Sequence, residues 1–351
     1  NFLLLWLGQM SNSLSLWMDM IARPALVVAM TGSAVQLGLI ALARGLPMTL
    51  LAPFAGVLAD RVDRRLLMLI AKGTTLFLNV AFALLILSGN VELWHIYVTA
   101  ILKSLAQSFD QPARMALLPA MVPPRLLVNA LALNQGSMQL VRILAASVAG
   151  FLIAGWAFAF SFEDKDPRAF GGVYLLGSIT YLVAVACTYL LRVPPGGRVA
   201  RTSDPWLTSM VEGFRFAWRR PVILGILALF GVLALFAMPY NQVFVPWLAL
   251  EVMHVGPEGM GLLMAVSGVG SLAGALFLAT LGERLRHRGV IILVGMVLMG
   301  FAVVGLGLTS VLPVSVVMGM AVAVLPAIMV ILIGLGQTTM NTLKNTILLE
   351  M

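Results

Sequence analysis

Five ionisable side chains stand in stretches that are otherwise almost wholly apolar: Asp19, Arg23, Arg44, Lys103 and Arg142. A charge surrounded by hydrocarbon is costly, so it marks either a pairing or a path for something polar. Asp19 and Arg23 are one helical turn apart and share a face. At ~1.5 Å per residue, Asp19 lies ~16 Å inward from Met30, Arg44 ~13 Å from Val35 and Lys103 ~15 Å from Leu93. Arg142 falls midway along its own apolar run. Asp19, Arg44, Lys103 and Arg142 therefore share one layer, with three cations against one carboxylate. Such a layer suits recognition of an anionic or electron-rich small molecule by Arg44, Lys103 and Arg142. Asn241 and Gln242, beside Tyr240, are the polar candidates from the later part of the chain, which otherwise supplies an apolar wall. Two other readings stay open. Asp19 pairs statically with Arg44 or Arg23, or Asp19 carries a proton across.

Catalysis finds no support. No nucleophile–base set, phosphate-cradling loop or cofactor signature is present, so neither an enzyme nor a cofactor is expected. His95, His254 and His287 lie far apart without metal-ligand spacing. The single cysteine, Cys187, excludes a disulfide within the chain.

The elements that must hold these side chains follow from composition. Hydrophobic residues make up 61% of the chain and charged residues 10%. Soluble domains carry about 25% charged residues, so the surplus apolar surface here needs lipid as its cover. The net charge of +8 does not indicate nucleic acid, because the basic residues sit in short loops rather than along an aromatic-interleaved stripe. A helix needs about 20 apolar residues to span hydrocarbon with its backbone satisfied. Ten runs meet that need: 2–30, 35–58, 66–87, 93–118, 129–157, 172–191, 222–250, 259–281, 290–308 and 314–335. Turn chemistry separates them, as in Thr31-Gly32-Ser33 and Ser88-Gly89-Asn90. Pro24, Pro47, Pro53, Pro246 and Pro326 are expected to kink their helices.

Loop charge sets the orientation. The loops after runs two, four, six and eight hold arginines such as Arg61, Arg125, Arg198 and Arg286, whereas the opposite side offers Lys165 and Arg168. The arginine-rich loops belong in the cytoplasm. The long polar stretch after run six contains Pro194-Pro195-Gly196-Gly197 and reads as a linker. The expected organisation is 1–192 as a six-helix bundle, 193–220 as a cytoplasmic linker with an amphipathic stretch, and 221–351 as a second bundle. A repeat supports two halves. Shifted by about 223 residues, Gly38-Leu39 falls on Gly261-Leu262, and Asp60-Arg61 falls on Glu283-Arg284, with Arg65 on Arg288.

The segment Gly56-Val57-Leu58-Ala59-Asp60-Arg61-Val62-Asp63-Arg64-Arg65 resembles the loop motif of the major facilitator superfamily, except that Asp63 replaces the motif's second glycine. Phe109-Asp110-Gln111-Pro112-Ala113-Arg114, Leu117-Leu118-Pro119 and Asn129-Ala130 with Asn134 resemble the enterobactin-exporter and drug-exporter branch. The resemblance covers essentially the whole chain. It implies an all-α polytopic transporter with two pseudo-repeated six-helix bundles in the cytoplasmic (inner) membrane of a bacterium. Its partners would be a small-molecule substrate, the lipid bilayer and protons as coupling ion, without nucleic acid. It also implies a cytoplasmic latch built from Gly56, Asp60, Arg61, Arg64, Arg65, Asp110 and Arg114, and in the second half from Glu283, Arg284 and Arg288. The plainer reading of Arg61, Arg64 and Arg65 is that they set topology and touch lipid headgroups. In place of the Gly-Pro pair common in antiporters, helix five carries Ala145-Ala146. The family has twelve helices, so the chain is expected to be truncated after about ten, with Asn341-Thr342-Leu343-Lys344-Asn345 just ahead of helix eleven. Beside export, import and a membrane scaffold or receptor without a transport cycle remain open.

Overall fold

The computed structural model describes residues 1–59, 62–163, 165–192, 240–281, 288–309 and 321–349, with isolated positions between 215 and 231. Asp60, Arg61, Glu283, Arg284 and almost all of the expected linker lie outside the described residues, as do the side chains of Asn241 and Arg288.

The apolar runs become helices with ends close to those expected. They are α1 (Phe2–Thr31), α2 (Ala34–Ala59), α3 (Arg64–Leu87), α4 (Leu93–Met121), α5 (Leu127–Ala159) and α6 (Gly171–Leu190). After them come α7, formed by Tyr240–Phe244, Val245–Trp247 and Leu248–Val252, then α8 (Gly256–Leu281), α9 (Arg288–Thr309) and α10 (Ala321–Leu349). Seven described helices are long and apolar enough to cross a bilayer by length and composition. Their outer faces present bare hydrocarbon, with Phe77, Leu144, Phe158 and Phe301 all exposed, as lipid-facing positions require.

Local chemistry explains the helix ends. Gly32 ends α1 in the left-handed region at φ 55°, donating its N–H to the Val28 carbonyl at 2.8 Å. Asp63 accepts from the N–H groups of Arg65 at 2.8 Å and Leu66 at 3.0 Å, capping α3. That is the position where the motif has glycine, so the departure here supplies a helix cap. The Glu92 N–H donates to His95 Nδ1 at 3.0 Å at the outer start of α4, giving that histidine a structural role. Two expectations on prolines are refined. α1 and α10 continue through Pro24 and Pro326, while around Pro246 the helix widens, with Met253 N–H reaching the Leu248 carbonyl five residues back at 2.8 Å. α10 also runs on through the polar residues 341–345.

In the first half, α1 packs on α5 and α6, α2 on α4, and α3 on both α4 and α6. In the second, α8 and α9 both pack on α10. The two sets meet where α5 crosses α8. A Cβ added at Gly261 would lie 2.5 Å from the Ala146 carbonyl oxygen, and one at Gly150 would lie 2.6 Å from that of Pro257. Small residues thus let two backbones touch. These positions fall in the outer half of both helices, the side opposite the arginine-rich loops. Lys165 and Glu251, 3.6 Å apart, add an outer ion pair between the two sets. α2 and α8, which carry the repeat, are both 26 residues long.

Candidate functional site

The mid-membrane charges gather around one carboxylate. Arg23 grips Asp19 from one turn away, with Nη2 to Oδ1 at 2.8 Å and Nε to Oδ2 at 3.2 Å. Its remaining amine donates to the Ile96 carbonyl at 3.0 Å and the Thr99 hydroxyl at 2.9 Å, tying α1 to α4. The Phe82 ring of α3 lies 5.2 Å from the guanidinium. Lys103 approaches Asp19 Oδ1 at 3.4 Å, and Arg44 approaches Oδ2 at 3.8 Å. One carboxylate therefore serves three cations, Arg23, Arg44 and Lys103, of which the depth count had named the last two.

Lys103 is only 4% exposed. Its second partner was not evident from sequence: Asn79 Oδ1 accepts from Nζ at 2.6 Å. Asn79 in turn donates to the Tyr174 carbonyl at 2.8 Å and to the Ser178 hydroxyl at 3.0 Å, binding α3 to α6. An uncharged Asn inside an apolar run gave little signal. The Tyr174 ring completes the cage, 5.4 Å from the ammonium.

Arg44 and Arg142 differ from Lys103 because they border open space. Arg44 lines a narrow pocket with Met20, Arg23, Pro24, Leu37 and Gln242. Arg142 lines a second narrow pocket with Trp17, Met20, Ile21, Ala146 and Met264. Met20 of α1 lies between the two. Gln242 and Met264 belong to α7 and α8, so both pockets sit where the two helix sets meet. The Arg142 guanidinium lies 4.9 Å from the Trp17 ring centroid.

A second buried cluster lies toward the cytoplasmic ends. Lys72 of α3 stands 3.7 Å from Asp110 of α4 and donates to the Thr188 hydroxyl at 3.0 Å. Arg114, one turn beyond Asp110, is also buried. Sequence reasoning missed Lys72, although a lone lysine eight residues inside a helix was a usable signal. Arg64 donates to the Ala116 carbonyl at 3.0 Å, so α3 is hooked to α4. Arg65 donates to the Thr188 carbonyl at 3.3 Å and to that of Tyr189, hooking α3 to α6. Both motif arginines thus bind backbone at helix C-termini, where positive charge is favoured. A Cβ added at Gly56 would meet no neighbouring atom within 4 Å. Among the described residues no His, Cys, Asp and Glu cluster could hold a metal ion.

Outside the spans, the Arg168 side chain donates to Asp166 and holds that carboxyl below its ordinary range. Through Lys165 and Glu251 the same outer loop also joins the two sets.

A family model described as Major Facilitator Superfamily matches residues 5–350. Macrolide efflux protein A of Streptococcus pyogenes is 27% identical over 315 residues, covering 88% of this chain and 73% of that protein. Enterobactin exporter EntS of Salmonella typhimurium is 28% identical over 313 residues, covering 89% of this chain and 70% of that protein. The solved structure of a bacterial homolog to the human lysosomal transporter Spinster aligns with a TM-score of 0.70 at 16% identity, covering 97% of this chain and 74% of that one. The fold and the family match agree, and this polypeptide belongs to the major facilitator superfamily of membrane transporters.

Proposed function

We propose that this protein is a secondary transporter that exports a small amphipathic or anionic molecule, siderophore-like or drug-like, by alternating access. The observation that carries the reading is the pair of pockets on either side of Met20, bordered by Arg44 and Arg142 and closed on one side by later helices. The named efflux relatives support the outward direction and a substrate of this kind. Because those relatives are bacterial, the cytoplasmic (inner) membrane of a bacterium is the proposed location.

Arg44, Arg142 and Gln242 are the substrate contacts we favour, since they border the open space. Asp19 and Lys103 act behind them. Both Asp19 oxygens are already engaged by cations, so protonating it would leave Arg23, Arg44 and Lys103 facing no counter-charge. Protons are the proposed coupling ion. The cytoplasmic latch is part of the proposal. Arg64 and Arg65 hold α3 to α4 and α6, so the start of α3 would move as one body with the first half.

Flux into inverted membrane vesicles, screened with organic anions and amphipathic drugs, tests the reading. The expected result is accumulation when the vesicle interior is acidified, abolished by a protonophore. Accumulation only in right-side-out vesicles would mean import, and accumulation in neither would end the transport reading.

A further inference from the structure

We propose that Gln9, Arg114 and Asn134 hold one buried water that ties α1, α4 and α5 together in their cytoplasmic halves. The three residues come from different helices and border one narrow space. All are buried, at 3%, 8% and 7% exposure. Arg114 and Asn134 belong to the two stretches that resemble the exporter branch, and Asn134 has no part in the transport reading above. The site stands whether or not that reading holds.

Two of these side chains carry an unfilled atom. The Gln9 amide donates to the Ser13 hydroxyl at 3.0 Å, but its Oε1 is buried without a hydrogen-bond partner among the described residues. The Arg114 Nε–H is buried and equally unpartnered. Asn134 spends its amide on the Met138 thioether, a weak acceptor, at 3.8 Å. Buried polar atoms nearly always find a partner, in the protein or in ordered water. One orphan here accepts and the other donates. An anion would satisfy Arg114 and repel Gln9 Oε1, and a metal cation would do the reverse. Water alone of these offers an O–H to Gln9 and a lone pair to Arg114.

Size and surroundings agree. The space has room for a single water and for no larger ligand. Leu5, Trp6 and Leu118 wall it with hydrocarbon, and the Trp6 indole N–H is already committed to the Ser137 hydroxyl of α5 at 3.2 Å. A water with two or more polar partners in such a place is part of the structure and costly to remove. It also explains how α4 keeps a guanidinium buried one turn beyond Asp110, since a buried charge is tolerated only when its hydrogen-bonding groups are satisfied.

The test is a crystal structure of the purified chain at a resolution that shows ordered water. One peak should lie within hydrogen-bond distance, about 2.7–3.2 Å, of both Gln9 Oε1 and Arg114 Nε. A direct Gln9–Arg114 hydrogen bond, or no peak between them, would overturn the proposal. So would a peak that carries bromide's anomalous signal after chloride is exchanged for bromide, since that makes the occupant an anion. X-ray hydroxyl-radical footprinting in lipid nanodiscs gives a second reading, because a trapped water labels the buried side chains around it. Leu5 and Leu118, both buried, should be oxidised in the unmodified protein. Gln9→Met, which keeps the length and removes the amide, should lower that labelling at least several-fold. Unlabelled Leu5 and Leu118 in the unmodified protein would overturn the proposal even where the variant does not fold. Unchanged labelling in a monodisperse Gln9→Met protein would do the same.

Discussion

Replacing Gly261 with alanine should weaken the outer seal and leave the rest of the fold intact. The added Cβ would lie 2.5 Å from the Ala146 carbonyl oxygen and 3.3 Å from the Gly150 Cα. Ordinary contact begins near 3.4 Å, so α5 and α8 must separate by about 1 Å. The obstructing atoms are backbone, and no side-chain rotation relieves them. Overpacking of this kind costs about 1–3 kcal/mol. The cost falls only on the conformer in which α5 touches α8. A bias of that size shifts a two-state equilibrium by about 5–150-fold. Lys165 and Glu251, 3.6 Å apart across the seal, provide the assay. With Cys187 replaced by serine, cysteines at these two positions should cross-link rapidly. Adding Gly261→Ala should slow cross-linking at least several-fold. Gly38→Ala is the matched control, because it is the repeat partner of Gly261 and its added Cβ meets nothing within 4 Å. Cross-linking by Gly261→Ala at the unmodified rate would refute the claim that this contact holds the outer side shut.

Two further predictions concern charge. Asp19→Asn leaves Arg23, Arg44 and Lys103 without a counter-ion, and breaking a buried pair in this way costs about 3–5 kcal/mol; the variant should melt markedly earlier in detergent, and unchanged melting would show that the cations are balanced elsewhere. The hydrogen bonds from Arg168 lower the Asp166 carboxyl, so its contribution to the outer turn is present above the ordinary Asp value of about 3.9 and is lost as pH falls through the lower folded value. Hydrogen exchange of the 161–170 loop, corrected for intrinsic rates, should therefore lose protection only below about pH 4 and show no such step in Asp166→Asn.

Much of this architecture was legible in the sequence because lipid imposes simple rules. Apolar length places the helices, and the ends of α1 to α6 fall within a few residues of the runs. Depth counting brought Asp19, Arg44 and Lys103 to one level, and they do meet. What was not legible depends on which neighbour lies opposite. Asn79 is uncharged and Lys72 is a single charge, so neither is distinctive until α3 is known to face α4 and α6. The separation of Lys103 from Arg44 and Arg142 is of the same kind, since equal depth does not say which side chain borders a cavity. Ala145-Ala146 was read as a lost antiporter pair, yet Ala146 is where the Gly261 backbone touches. The unfilled atoms on Gln9 and Arg114 required coordinates, because spacing in sequence does not say which polar side chains border one space.

In the proposed cycle the two pockets on either side of Met20 open to the two sides of the membrane in turn. Met20→Cys in a Cys187→Ser background, probed with a membrane-impermeant maleimide in right-side-out and inverted vesicles, tests it most directly. Labelling from the cytoplasmic face and protection from the outer face are expected while α5 and α8 are joined, with outer labelling appearing when Gly261→Ala is added. Labelling from the outer face with that contact intact, or from neither face under any condition, would contradict it.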